Sequence, residues 1–196
     1  MTKQKVLGNL KKGLVFVVSA PAGTGKTTLV RMLCSEFPCV VESVSYTTRS
    51  IRAGETPGVD YHFISKEEFQ KKIKEGEFLE YAQVFDQFYG TSKNLVESFQ
   101  AKGKHVILVI DTQGALQLKE KLPAIFLFIR PPSLEELRNR LISRKSDSME
   151  SIENRLSWAK KEMEMASHYD YEIINEDLKT AYQIFRSIVI AEEHRV

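Results

Sequence analysis

Cysteine is nearly absent: Cys34 and Cys39 are the two in 196 residues. One possible bridge in a chain of this length excludes a disulfide-built scaffold, and no Cys/His spacing matches a zinc site. Both cysteines read as reduced thiols of a cytoplasmic protein. Long apolar runs are missing too. The longest, residues 124–129, falls far short of the roughly 18 to 20 residues of a membrane-crossing helix. The basic start, MTKQKVLGNLKK, lacks the apolar stretch and small-residue cleavage site of a secretory signal, and residues 1–12 read as a short solvated arm. There is no excess of one charge: 28 Lys and Arg stand against 26 Asp and Glu, for a net charge of +2. Such a balance implies neither nucleic-acid nor membrane-surface binding, so any basic site is local. Internal repeats and low-complexity segments are absent. What remains, 42% hydrophobic, 10% aromatic and 28% charged residues, is the composition of one ordinary globular domain with mobile parts.

Residues 14–18 form a continuous apolar, mostly β-branched run that ends in a glycine-rich turn, as expected of a strand buried on both faces. A helical pattern follows Lys26, with Leu29, Val30 and Leu33 on its apolar side, and stops near Pro38. Runs 106–110 and 124–129 repeat the character of the first strand, and 171–174 is a shorter fourth candidate. Buried strands separated by helical pattern predict an α/β fold with a parallel sheet. Ser65-x-x-Glu68 and Ser133-x-x-Glu136 have the capping-box form. The last helix, from about Asp177, carries Leu178, Ala181, Tyr182, Phe185, Ile188 and Val189 as a core stripe. Between residues 40 and 89 the texture changes to shorter alternating segments with Gly54, Pro57 and Gly58, which suggests strands and turns inserted into the core.

Ala20-Pro21-Ala22-Gly23-Thr24-Gly25-Lys26-Thr27, followed by Thr28, differs from the phosphate-binding pattern G-x-x-x-x-G-K-[ST] in having Ala20 for the first glycine. Gly23 and Gly25 let backbone N–H groups converge on phosphate oxygens, and the following helix directs its positive end there. Lys26 would reach the terminal phosphates of a nucleoside triphosphate, and the Thr27 hydroxyl would ligate Mg²⁺. A plain glycine turn is the alternative, but the segment follows a buried strand and opens a helix, as the motif requires.

A second constellation comprises Ser45-Tyr46-Thr47-Thr48-Arg49-Ser50-Ile51-Arg52-Ala53-Gly54-Glu55, Tyr61, Glu80 and Tyr89-Gly90-Thr91. With these residues the chain resembles the guanylate kinase family over residues 13–193, nearly its whole length. The resemblance implies a P-loop three-layer α/β/α fold with a parallel core sheet, an inserted GMP-binding, strand-rich region at about 43–95 and a mobile lid at about 138–156. It implies that Arg49, Arg52, Tyr61 and Tyr89 hold the phosphate of GMP while Ser45, Glu80 and Thr91 read guanine. The chemistry is suitable: guanidiniums and phenols are donors for a dianion, and a carboxylate can accept from both N1–H and the N2 amine of guanine, a donor pair adenine lacks.

Asp111 ends run 106–110 at the carboxyl edge where ligands of open α/β sheets gather. It could hold Mg²⁺ through water, contact the guanine amine as in the family, or cap a helix. The family has a second acidic residue where this chain has Val109, which places the weight on Asp111 alone. In the lid, Arg140, Arg144 and Arg155 match family positions, Lys145 stands where glycine is usual, and Arg138 and Lys145 read as solvated charges. Asn175 matches an adenine-contacting position, with a helix cap as the alternative. The implied reaction is direct, in-line transfer from ATP to GMP with Mg²⁺, with Lys26, Arg49, Arg144 and Arg155 as catalytic residues; no nucleic acid or membrane partner is expected, and the oligomeric state is not legible. Three rivals stand beside it: a non-catalytic module of the same fold, another small-molecule kinase, and a P-loop GTPase. Retention of Lys26 and the lid arginines, the presence of Glu80 and the absence of an Asn-Lys-x-Asp segment weigh against them in turn.

Overall fold

Every side chain of strand β1 (Val15–Ser19) is buried, as its continuous apolar sequence demands. In the computed structural model, which describes residues 4–52, 54–84, 86–143 and 148–196, β1 is the middle of a five-stranded sheet. Strands β7 (His105–Val109) and β8 (Ile125–Arg130) flank it, and β2 (Val40–Ser43) and β9 (Tyr171–Ile174) form the edges. All four pairings are parallel. Alternate residues feed two cores. Phe16, Val18, Ile107, Leu127 and Ile129 meet helix α1 (Lys26–Glu36) and helix α7 (Leu178–Glu193) on one face. Val15, Val17, Val106, Leu108 and Phe126 meet helix α3 (Lys93–Ala101) and helix α4 (Thr112–Lys119) on the other. Helices on both sides of a parallel sheet make the three-layer α/β/α arrangement expected from the sequence.

After β2 the chain leaves this sheet and builds a second one from β3 (Tyr46–Thr47), β4 (His62–Phe63), β5 (Phe78–Val84) and β6 (Gln87–Ser92), in the order β4-β3-β6-β5. Helix α2 (Lys66–Lys74) covers it through Phe69, stacked on Phe78 and Phe88. The remaining helices, α5 (Leu134–Ser143) and α6 (Met149–Glu164), share a small core of Leu137, Leu141, Ile152 and Ala159.

Several local expectations need correction. Strands β1 and β8 begin and end one residue later than the apolar runs suggest, and β7 one residue earlier. Leu178 lies in the first turn of α7 and is 40% exposed rather than core. Both Ser65 and Ser133 cap their helices, at 3.1 and 3.0 Å to the backbone N–H three residues on. The Glu136 carboxylate, however, pairs with Arg140 one turn later instead of turning back, because a cation on its own face offers a stronger partner than an amide.

Residues 4–12, expected to be a solvated arm, are largely exposed but anchored to the core. Leu7 is buried in the α1/α7 core. Glu193 accepts from the backbone N–H of Gly8 at 2.7 Å, from that of Asn9 at 3.0 Å and from Asn9 Nδ2 at 2.6 Å. The same carboxylate meets His105 Nε2 at 2.5 Å, both side chains being buried. Since His105 Nδ1 accepts from the Leu14 N–H, it is Nε2 that carries the proton toward Glu193. Burial alone would raise the Glu193 carboxyl; the donors around it hold it below the usual carboxylate range.

Candidate nucleotide site

The carboxyl ends of β1, β7 and β9 deliver Ala20, Asp111 and Asn175 to one edge of the core sheet, where open α/β folds gather their ligands. Gly23 and Gly25 both have left-handed backbone, at φ 96° and 95°. A Cβ on Gly25 would lie 2.6 Å from Asn175 Nδ2, and one on Gly23 2.9 Å from Leu141 of α5. The turn is therefore closed in on two sides. Thr24 braces it from within, its hydroxyl donating to the Pro21 carbonyl at 2.7 Å, and the buried Asn175 amide donates to the Thr24 carbonyl at 2.6 Å. Asn175 does not cap α7; Asp177 does.

Helix α1 lacks a side-chain cap, whereas a serine or aspartate caps each of the other six α-helices among the described residues. Its first-turn N–H groups are thus left for another acceptor, at the end where the helix dipole favours an anion. Lys26 opens that turn, with Thr27 and Thr28 exposed after it. Burial lowers the Lys26 pKa, opposed by the carboxylates of Glu162, Asp111 and Glu42. Asp111 caps α4 through a 2.7 Å bond from the Gly114 N–H, so its helix-capping reading is realised while its charge still acts on Lys26.

Glu80 and Thr91 are cross-strand partners on β5 and β6. Glu80 is 5% exposed, and the Thr91 hydroxyl donates to its Oε1 at 2.6 Å. Burial, reinforced by Asp111, lifts the Glu80 carboxyl to about 7 although the Thr91 bond opposes the rise. Gly114 makes room for it: a Cβ there would stand 2.6 Å from Glu80 Oε2. Sheet two thereby sets its buried carboxylate against the start of α4 in the core.

Arg49, Tyr61 and Tyr89 form a second group. The Arg49 guanidinium lies 5.3 Å from the Tyr61 ring centre and 5.7 Å from that of Phe63, and the Tyr61 and Tyr89 rings meet edge to face at 5.8 Å. Ser45 lies close by in sequence, its carbonyl accepting from the His62 N–H. Arg52 is exposed, and its backbone N–H donates to Glu55. On α5, Arg140 donates to Glu136 and, at 3.4 Å, to the Glu176 carbonyl. Arg138 pairs with Glu153 of α6, both side chains remaining exposed, as a solvated charge on a helix face does. Arg155 is half-buried on α6. Arg144 and Lys145 lie outside the described residues.

Two acidic residues escaped the sequence reading. Glu162, near the end of α6, faces Lys26 and Asp111, and burial raises its carboxyl to about 7. Glu55 grips Arg49 with both oxygens. A carboxylate on an amphipathic helix reads as a solvated face, so Glu162 gave no signal; Glu55 sat inside the Arg-rich motif but had no partner that spacing alone could name.

Among known proteins, the family model described as "Guanylate kinase" matches residues 12–192. A guanylate kinase of Protochlamydia amoebophila is 60% identical over 189 residues, covering 96% of this chain and 96% of that one. One of Clostridioides difficile is 48% identical, covering 95% and 92%. The crystal structure of guanylate kinase from Anaplasma phagocytophilum superposes with a TM-score of 0.79 at 36% identity, covering 94% of this chain and 88% of that one. Matched along almost its entire length by the family model and by these relatives, this chain belongs to the guanylate kinase family.

Proposed function

We propose that the chain transfers the terminal phosphoryl group of ATP directly to GMP, and to dGMP, giving GDP and ADP. The observation that carries this reading is the buried Glu80, fixed by Thr91 and sharing the charge of Asp111 as a neighbour with Lys26 of the glycine turn. A carboxylate there rewards a base that offers N1–H and an amine together and leaves an unpaired buried acceptor against any other. ATP phosphates are taken by the backbone of residues 20–28, with Arg140 and Asn175 beside the nucleoside. Arg49, Arg52, Tyr61 and Tyr89 take the GMP phosphate, and Ser45, Glu80, Thr91 and Asp111 the guanine.

Catalysis in this reading is positioning and charge stabilisation. The acceptor phosphate is already an anion, so no general base is required. Lys26 follows the moving phosphoryl group, Arg49 approaches it from the GMP side, and Arg144 and Arg155 neutralise charge from the lid while water is excluded. Mg²⁺ retains most of its waters and takes substrate oxygens, so one or two protein donors suffice. The exposed Thr27 hydroxyl on the first turn of α1 and the Asp111 carboxylate, close enough to act on Lys26, fit that modest demand. When bound, the ion neutralises phosphate charge.

Among the described residues no helix is long and apolar enough to cross a membrane. The two free thiols, Cys34 and Cys39, support a place in the reducing cytoplasm, where the reaction serves purine nucleotide metabolism. The test is ADP release from ATP and Mg²⁺ with GMP, dGMP, AMP, CMP and UMP in turn. Turnover confined to the guanine nucleotides is expected; equal turnover with AMP would overturn the reading.

A further inference from the structure

A guanidinium has five N–H donors in a fixed plane. On Arg49, Nη1 donates to the Ser50 carbonyl at 2.8 Å and to Glu55 Oε2 at 3.0 Å, and Nη2 donates to Glu55 Oε1 at 2.7 Å. Three of the five are thereby used, all from the far end of the group. The remaining two, Nε–H and the second Nη2–H, lie parallel along one edge, the pair that suits two oxygens of a phosphate. The Tyr89 hydroxyl is a further hydrogen-bonding neighbour of this guanidinium, so the remaining donors are shared with a phenol rather than held by a second carboxylate, and Tyr61 and Phe63 lie against it. Glu55 is itself anchored, because its Oε2 also accepts from the Arg52 N–H at 2.8 Å.

We propose that Glu55 is a positioning residue for the phosphate acceptor: by holding the Nη1/Nη2 end of Arg49 it presents the Nε/Nη2 edge to the phosphate of GMP. The inference rests on the reading of Arg49 as a GMP phosphate contact. Glu55 is not a stand-in that the phosphate must displace. The donors it occupies differ from the pair on the Nε/Nη2 edge, and its backbone bond to Arg52 keeps it in the loop. Rotation of the guanidinium about its last bonds, which would cost an untethered arginine entropy on binding, is already restricted.

The experiment compares steady-state kinetics of the full chain with those of Glu55→Gln, Arg49→Lys and the double variant, together with calorimetric binding of guanosine, which has no phosphate. Gln retains an acceptor for the Arg52 N–H but loses the charge-assisted grip. The expected result is a rise of about tenfold in KM for GMP, the weight of one hydrogen bond to a charged group. KM for ATP and the guanosine Kd stay unchanged, and Glu55→Gln adds nothing in the Arg49→Lys background. An unchanged or lowered KM for GMP in Glu55→Gln, alongside a raised one in Arg49→Lys, overturns the positioning role and leaves the phosphate contact standing. Loss of guanosine binding in Glu55→Gln overturns it as well, by assigning Glu55 to loop folding. A silent Arg49→Lys overturns both readings.

Discussion

The Thr91 hydroxyl donates to the buried Glu80 carboxylate at 2.6 Å across β5 and β6. That bond fixes Oε1 and leaves Oε2 aimed at the start of α4, beside Gly114. Burial raises this carboxyl to about 7, yet accepting from two guanine donors requires its ionised form. Guanine affinity should therefore fall with pH. Guanosine, free of a phosphate titration, is expected to bind about fivefold more weakly at pH 6 than at pH 7, as a single titration near neutrality dictates. Calorimetry across this range checks it; a flat profile would show that Glu80 is not the group that reads the base.

Gly114 is the point at which β5 is allowed to approach the start of α4. Gly114→Ala places a methyl group 2.6 Å from Glu80 Oε2 and 3.3 Å from Asp111 Oδ1. Overpacking of this kind costs about 1 to 3 kcal/mol. The expected outcome is a KM for GMP raised by tenfold or more, on the order of that cost, while ATP binding is retained. Equal damage to both substrates would mean that the fold, not the guanine pocket, had been disturbed.

Asn175 should act on the other substrate. Asn175→Ala removes the donor to the buried Thr24 carbonyl and loosens the glycine turn. Leaving such a group unpaired costs about 1 to 3 kcal/mol, so KM for ATP is expected to rise by about tenfold with KM for GMP nearly constant. Kinetics with each substrate varied in turn separate the two effects.

Away from the site, Glu193→Gln should cost stability and spare turnover. Four donors converge on this carboxylate, and replacing half of it with an amide sets donor against donor and leaves a buried donor unsatisfied, at a cost of about 1 to 3 kcal/mol. Because those donors hold the folded carboxyl below its ordinary value of 4.5, its contribution is present above that value and is lost as pH falls through the folded pKa. Denaturant melts should show a wide gap between wild type and variant at neutral pH, narrowing on acidification below the ordinary carboxylate range.

The parts of the fold legible from sequence are those set by local pattern. A strand buried on both faces must be apolar throughout, so residues 14–18 announce β1; a turn that offers backbone to phosphate needs glycine, so Gly23 and Gly25 stand out. What escaped depends on segments that meet only after folding. The Asn175–Thr24 bond spans 151 positions and the His105–Glu193 bond 88, and no periodicity within a helix or strand encodes them. For the same reason the arm at residues 4–12 read as solvated, although Leu7 and Glu193 bind it to the core. Glu162 was hidden by its helix, and the capping role of Asp111 could be named from sequence but not separated from its charge on Lys26.

The most direct test of guanine selection by a buried carboxylate is the ratio of kcat/KM for GMP to that for AMP, measured in wild type and in Glu80→Gln. A site built around paired polar groups discriminates by on the order of 10⁴. The expected result is a ratio of that size in the wild type and a collapse by at least about a hundredfold in the variant, with ATP still bound. A ratio that survives the substitution unchanged would contradict the assignment of Glu80 as the reader of the base.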